Sequence, residues 1–132
     1  MNDELEKIIE QSTFEIQKGS YIYAKVKSIA DLNKHFMVSR DKDEITVVTK
    51  EENIGDLDLI ERNKDSYSLI ALNVSMPFYS VGFLAAVSGA IAKAGMNILI
   101  VSTYSKDYII VKEDRLEKAR QVLLSLGFNE KK

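Results

Sequence analysis

The chain has 132 residues and a formal net charge of −2, and hydrophobic residues make up 45% of it. These values allow one ordinary domain or two very small ones with a buried core, and they argue against a globally disordered chain. The chain has no cysteine, which excludes thiol catalysis, disulfides and thiolate metal sites and suits a reducing cytoplasm. Acidic and basic residues are interspersed, without the basic patch typical of a nucleic-acid-binding protein.

The first half of the chain predicts a short helix followed by strands. Leu5, Ile8 and Ile9 recur at helical spacing within an acidic N-terminal segment that has no apolar signal core. Alternating apolar residues predict strands at residues 14–17, 21–29, 36–39 and 44–49, the last two as a hairpin. Residues 50–58 are predicted as a loop with one helical turn, and residues 61–65 as a charged connector between two halves.

A strand, a turn and a helix open the second half. Residues 68–75 are almost continuously apolar, which is typical of a central strand, and a turn through residues 77–80 follows. Ser80 is predicted as the N-cap of a helix, and Gly95 as the left-handed residue that ends it. The apolar stripe of this helix is Leu84, Val87 and Ile91.

Two further strands and a second helix complete the half. Strands are predicted at residues 97–104 and 107–112, and Asp114 is predicted to cap a helix that Gly127 stops. The apolar stripe of that helix is Leu116, Ala119, Leu123 and Leu126. Phe128 is predicted to begin a short closing strand. The apolar segment 81–101 is interpreted as a helix followed by a strand rather than a membrane span, because polar residues and Gly95 interrupt it.

The order β-α-β-β-α with a closing strand indicates an α+β, ferredoxin-like fold with two helices on one face of an antiparallel sheet. The first half has a similar order of elements, although no residue-level repeat connects the halves. The prediction is therefore two tandem units. Residues 1–62 form a degenerate unit with a short N-terminal helix, and residues 63–132 form a complete one.

The segment SVGFLAAVSGAIAKAGMNILIVSTYSKDYIIVKED, residues 80–114, resembles an ACT domain, and STYSKDYIIVKED is its most telling part. The stretches GSYIYAKV and HFMVSRDKDEITVVTKEE resemble the degenerate first half of small bacterial proteins with two ACT-like units. That group is related to the regulatory region of aspartate kinase and to arginine-sensing proteins of animals. The resemblance spans residues 14–127 and implies two βαββαβ units side by side in one sheet.

The resemblance also implies where a ligand binds. Ligand sites in such proteins lie at ACT–ACT interfaces, where the loop before the first helix of one unit meets the second strand of a neighbour. The corresponding residues here are Ser80, Val81, Gly82 and Phe83, followed by Asn97 and Ile98. Many ACT domains have an acidic residue and Pro-Gly in this loop, whereas this chain reads FYSVG and has no acid there.

The physical argument for this site centres on Gly82. The first N–H groups of a helix lack intrahelical partners and carry partial positive charge, so they suit an amino-acid carboxylate, and glycine lets it come close. The alternative is that Gly82 only permits a tight turn. Asn97 is either a ligand contact or a turn-stabilising residue at a strand start.

The sequence therefore predicts a non-catalytic regulatory protein that binds a free amino acid or similar effector through the 80–83 loop. The alternative is a ligand-free ACT-like module for dimerisation or docking to an enzyme. No enzyme, cofactor or metal site is predicted, since there is no G-x-S-x-G elbow or phosphate loop and His35 is the only histidine. His35 is interpreted as a surface or core-edge residue, with a ligand contact as the alternative.

The predicted assembly is a homodimer, because ferredoxin-like sheets leave edge strands that need pairing or cover. The predicted location is the cytoplasm, which the lack of cysteine suits. The predicted partner is a small amino-acid effector, with neither nucleic acid nor membrane as a partner.

Overall fold

The computed structural model describes residues 1–76 and 80–132. The helices are α1 Asp3–Glu10, α2 Phe83–Lys93 and α3 Leu116–Leu126. The strands are β1 Thr13–Ile16, β2 Tyr21–Val26, β3 Met37–Arg40, β4 Ile45–Lys50, β5 Leu59–Arg62, β6 Tyr67–Asn73, β7 Leu99–Ser102, β8 Asp107–Lys112 and β9 Asn129–Glu130. Short 3-10 turns cover Leu32–Lys34, Glu51–Asp56 and Glu113–Arg115. Most of the turn predicted at residues 77–80 lies outside the described residues.

The chain forms two compact units. The C-terminal unit comprises residues 1–17 and 69–132, and the middle unit comprises residues 18–68. The N-terminal helix α1 and strand β1 therefore pack with the last part of the chain. The two ACT-like repeats are predicted to meet after residue 62. The two compact units are defined by contacts and not by repeated elements, so this repeat boundary stays a prediction.

The C-terminal unit contains a five-stranded sheet in the order β7-β8-β6-β1-β9. Strand β1 runs antiparallel to β6 and pairs in parallel with the short closing strand β9. Alternate strand residues such as Ile70 and Ile109 are fully buried in one apolar core with Val87 of α2 and Leu123 of α3. This is the predicted βαββαβ order, and the predicted α+β class is confirmed.

The middle unit is a smaller antiparallel sheet in the order β3-β4-β2-β5. Its core is formed by Ile22, Ala24 and Val26 of β2 with Ile45 and Val47 of β4. The predicted hairpin is confirmed, with Met37 opposite Val48. Residues 18–68, all of which are described, contain 3-10 turns but no α-helix.

Strand β5 is a correction to the predicted loop and charged connector. Its residues Leu59–Arg62 are mostly exposed and too few to show an alternating pattern. They become a strand because their backbone pairs with β2, where Arg62 lies opposite Ala24. Tertiary pairing, rather than local propensity, forms this strand.

The predicted cap at Asp114 is also wrong. Asp114 lies within the 3-10 turn Glu113–Arg115, and α3 begins at Leu116 without a side-chain cap. Because of this turn, the N-cap position of α3 is occupied by Arg115, one residue later than predicted. The predicted stripe of α3 is confirmed, since Ala119 and Leu123 are buried and Leu116 and Leu126 pack against the same core. Among the described residues, every helix is too short or too polar to cross a membrane.

Candidate functional site

The candidate site begins where α2 starts. Gly82 occupies the N-cap position with φ +85°, a left-handed conformation that residues with a Cβ rarely adopt. The predicted cap at Ser80 is wrong, because its hydroxyl donates to the carbonyl oxygen of Met76 instead. The left-handed residue places the first helical position at Phe83, three residues beyond Ser80.

Phe83 joins the loop to the interior. Its ring is only 4% exposed and lies edge-on to Phe128, with 5.9 Å between the ring centroids. Its N–H donates to the carbonyl oxygen of Ser80 at 3.0 Å, which closes a turn around Gly82. Phe83 therefore anchors the loop, and its N–H is already used within the protein.

A cleft of about 510 Å³ lies between the start of α2 and the turn connecting β7 to β8. Its volume falls within the usual range for small-molecule sites, roughly 300–1,000 Å³. The helix side contributes Ser80, Gly82, Phe83, Leu84 and Ala85, and the hairpin side contributes residues 102–107. The helix side is therefore mostly apolar, and the hairpin side is rich in hydroxyl and charged groups.

Ser102 and Asp107 organise the polar wall. They face each other as the last cross-strand pair of β7 and β8, and the Ser102 hydroxyl donates to Asp107 Oδ1. The turn beyond them is closed by the Thr103 N–H, which donates to the carbonyl oxygen of Lys106 at 2.8 Å. A carboxylate thus lies in the wall of the cleft, although the loop before α2 has none.

The predicted site residues do not all meet in one unit. Ser80, Gly82 and Phe83 line the cleft. Val81 is 88% exposed and lines a separate small recess beside α1. Asn97 and Ile98 precede β7, whose opposite end forms the cleft, and neither lines it. Asn97 is exposed and Ile98 packs partly against the core, so their predicted contact with a ligand needs a neighbouring copy.

Helix α1 supports both ends of the loop. The Ser75 N–H, two residues after β6, donates at 3.0 Å to Oγ of Ser12, which lies two residues after α1. The Ser12 hydroxyl in turn donates to the carbonyl oxygen of Ile8 at 2.6 Å. At the other end, a Cβ built on Gly82 would lie 3.7 Å from the Leu5 side chain. The N-terminal helix is therefore a structural support of the candidate site.

Two charged groups with shifted pKa lie on α3, outside the cleft. The hydrogen bond from Gln121, with Arg120 nearby, holds the pKa of the exposed Glu117 carboxyl below its usual value. The hydrogen bond to Glu130 raises the pKa of the Arg120 guanidinium. These contacts link α3 to β9, with Arg120 Nε 2.7 Å from Glu130 Oε1. They have a structural role and do not belong to the cleft.

The C-terminal unit is therefore a ferredoxin-like α+β domain. A cleft of the size of a small-molecule site lies at the loop before α2. The family model of the ACT domain matches residues 63–125, and this part of the chain is an ACT domain. The resemblance noted in the sequence is thereby confirmed. None of the curated proteins matches the chain at a significant level.

Several solved structures have a similar fold. A protein of unknown function from Vibrio cholerae, described as a possible transport protein, is 24% identical with a TM-score of 0.79, covering 94% of this chain and 96% of its own. The ligand-free regulatory subunit of aspartate kinase from Thermus thermophilus is 10% identical with a TM-score of 0.61, covering 87% and 95%.

Aspartate kinase from Clostridium acetobutylicum is 15% identical with a TM-score of 0.67. The matched region covers 86% of this chain and 34% of that enzyme. At these levels of identity the three similarities establish the fold alone.

Proposed function

We propose that the protein is a non-catalytic regulatory protein that binds a free amino acid at the cleft beside Gly82. The observation that carries this proposal is the left-handed Gly82 at the start of α2, in the wall of a cleft of about 510 Å³. The loop exposes backbone near the positive end of the helix dipole, which favours a carboxylate. The ACT domain and its likeness in fold to aspartate kinase regulatory subunits support a regulatory role.

The second charged group of an amino acid requires an acceptor. Asp107 lies in the same cleft, where its carboxylate accepts from the Ser102 hydroxyl and can also accept from an ammonium group. The ACT-type loop acid is missing from this chain, and Asp107 on the facing hairpin replaces it in this proposal. The ligand then lies between α2 and the β7–β8 turn.

The complete site includes a second copy of the chain. Asn97 and Ile98 lie at the far end of β7 and reach the ligand only from a neighbouring ACT domain. Strand β7 pairs only with β8 among the described residues, so it offers an open edge for such a neighbour. Binding then stabilises one packing of the two copies relative to another. The gain in free energy is no larger than the difference between the ligand's binding free energies for the two packings. That change in packing is the signal passed to a partner protein.

The proposal is tested by thermal unfolding in the presence of each common amino acid at millimolar concentration. A ligand at about 100 times its dissociation constant adds about 2.7 kcal/mol to the free energy of unfolding, which raises Tm clearly. We expect one amino acid or a chemically related few to do so. Isothermal titration calorimetry with the best of them then gives the affinity and the stoichiometry per chain.

A ligand-free docking module is the second candidate function. Two observations favour it: the loop has no acidic residue, and the Phe83 N–H is already bonded to Ser80. In that case Tm does not change with any amino acid in the panel. A flat panel would therefore reject the sensor and favour the docking module.

A further inference from the structure

We propose that the middle unit has a ligand site of its own, a cleft around His35 that binds a small monocarboxylate with an aromatic or apolar group. The cleft has a volume of about 450 Å³ and is separate in sequence from every residue of the candidate site above. Its polar groups come from Lys34, His35, Lys50, Glu52 and Asn53. Tyr21 and Phe36 contribute aromatic surface. The volume of the cleft falls within the usual range for small-molecule sites, roughly 300–1,000 Å³.

The His35 ring is held by a buried hydroxyl. Its Nδ1 lies 2.9 Å from Oγ1 of Thr49, which is 0% exposed. Asn53 Nδ2 donates to the same Oγ1 at 3.0 Å and to the Lys34 carbonyl oxygen at 3.1 Å. Thr49 therefore connects β4, both 3-10 turns and the imidazole, so the histidine is oriented before any ligand arrives.

The same contacts are compatible with a proton on the outer nitrogen of the ring. Thr49 Oγ1 accepts from Asn53 and can donate its own proton to His35 Nδ1, 2.9 Å away. In this proposal His35 has a proton on Nε2, which has no partner among the described residues. A histidine in this form donates a hydrogen bond to a carboxylate.

Lys50 is the cationic group of the proposed site. Lys34 Nζ is compensated by Asp56 Oδ2 at 3.2 Å. Lys50, in contrast, forms no ion pair with the described part of the chain. It lines the same cleft as His35, where it supplies the charge for a carboxylate. Phe36 and Tyr21 then contact the rest of the ligand. Glu52 also lines the cleft and has the opposite charge to Lys50.

His35 provides a direct test because it is the only histidine in the chain. The Hε1 proton of its imidazole therefore gives a single resonance that can be followed by ¹H NMR in the full-length protein. Benzoate is the probe, benzamide is its neutral isostere, and benzylamine is a cationic analogue. We expect benzoate to shift the resonance saturably, and the other two compounds to shift it little at equal concentration. A linear or absent response to benzoate, or an equal response to benzamide, would overturn the proposal.

Matched variants locate the binding. Lys50→Gln should weaken benzoate binding by about two- to fivefold, the effect of losing one solvent-exposed ion pair. Lys118→Gln removes an exposed lysine from α3 and should leave the affinity unchanged. Equal affinities in these two variants would contradict the proposed role of Lys50 and reject the site.

A second variant tests the orientation of the imidazole. Thr49→Val keeps the shape of the buried side chain and removes the hydroxyl, so the His35 resonance should lose most of its response to benzoate. Circular dichroism checks that Thr49→Val is folded. If it is not, the comparison of Lys50→Gln with Lys118→Gln tests the site. The His35 resonance reports on the middle unit alone. The result is therefore independent of whether amino acids bind beside Gly82.

Discussion

The hydroxyl of Ser102 donates a hydrogen bond to Asp107 Oδ1 at the closed end of the β7–β8 hairpin, and both residues face the left-handed Gly82 across a cleft. The pair supplies an acidic group to a site whose loop has none. It also gives the proposed amino-acid site its most direct test.

Asp107→Asn should reduce the affinity for the amino acid identified by thermal unfolding by about tenfold or more. The substitution keeps the size of the side chain but removes the charge that accepts the ammonium group, and hydrogen bonds to charged groups contribute about 1.5–3 kcal/mol. Titration calorimetry measures the change. Asp114→Asn is the matched control, since Asp114 is exposed in the turn before α3 and does not line the cleft. Equal affinities in the two variants would exclude Asp107 from the site.

Gly82→Ala and Gly89→Ala should change stability in opposite directions. At Gly82 the added methyl meets only Leu5 at 3.7 Å, but the left-handed backbone makes the substitution cost about 1–2 kcal/mol. Gly89 lies inside α2 with open space around its Cα, so alanine should stabilise the protein by about 0.5–1 kcal/mol. Urea denaturation of both variants measures the difference, and a neutral Gly82→Ala would argue against the left-handed turn.

Leu5→Ala should both destabilise the protein and weaken ligand binding. Leu5 is 6% exposed and packs between the C-terminal core and the start of α2, so its truncation should cost about 2–4 kcal/mol. Leu124→Ala is the control on α3, where the side chain is 36% exposed and the loss should be below about 1 kcal/mol. If Leu5→Ala lowered Tm without changing ligand affinity, α1 would support the fold but not the loop.

Phe128→Ala should be among the most destabilising single substitutions, at about 3–5 kcal/mol. Phe128 is 2% exposed, and its ring contacts those of Phe83 and Phe14 edge-on at 5.9 and 6.4 Å. Phe128→Leu, which keeps most of the apolar volume, should lose less than half as much. A small loss for Phe128→Ala in chemical denaturation would mean that the closing segment contributes little to the core.

Local signals were sufficient for most helices and strands. The end of α2 is an example, since Gly95 was predicted as its left-handed terminator and has φ +80°. The structure shows the expected pair of bonds, from Gly95 N–H to the Ala92 carbonyl and from Met96 N–H to the Ile91 carbonyl. The N-cap of α2 could not be predicted in the same way. It lies at Gly82, two residues after Ser80, because Gly82 forms a left-handed turn.

The two walls of the cleft differ in how far the sequence indicates them. Loop residues 80–83 are predicted from their place before a helix and from the family resemblance, both of which are properties of one short segment. Ser102 and Asp107 were not singled out, since a serine and an aspartate five residues apart have no distinctive motif. Only the register of the hairpin makes them partners.

The apolar periodicity of the chain was therefore enough for the order of most of its helices and strands, because burial of one face imposes a period that is visible in the sequence. Contacts between distant segments were not accessible in this way. The pairing of β5 with β2, the support of the Gly82 loop by α1 and the facing of Gly82 with Asp107 all depend on strand register and side-chain packing. These relationships join residues whose separation along the chain carries no periodic signal, so they arise only when the chain is folded.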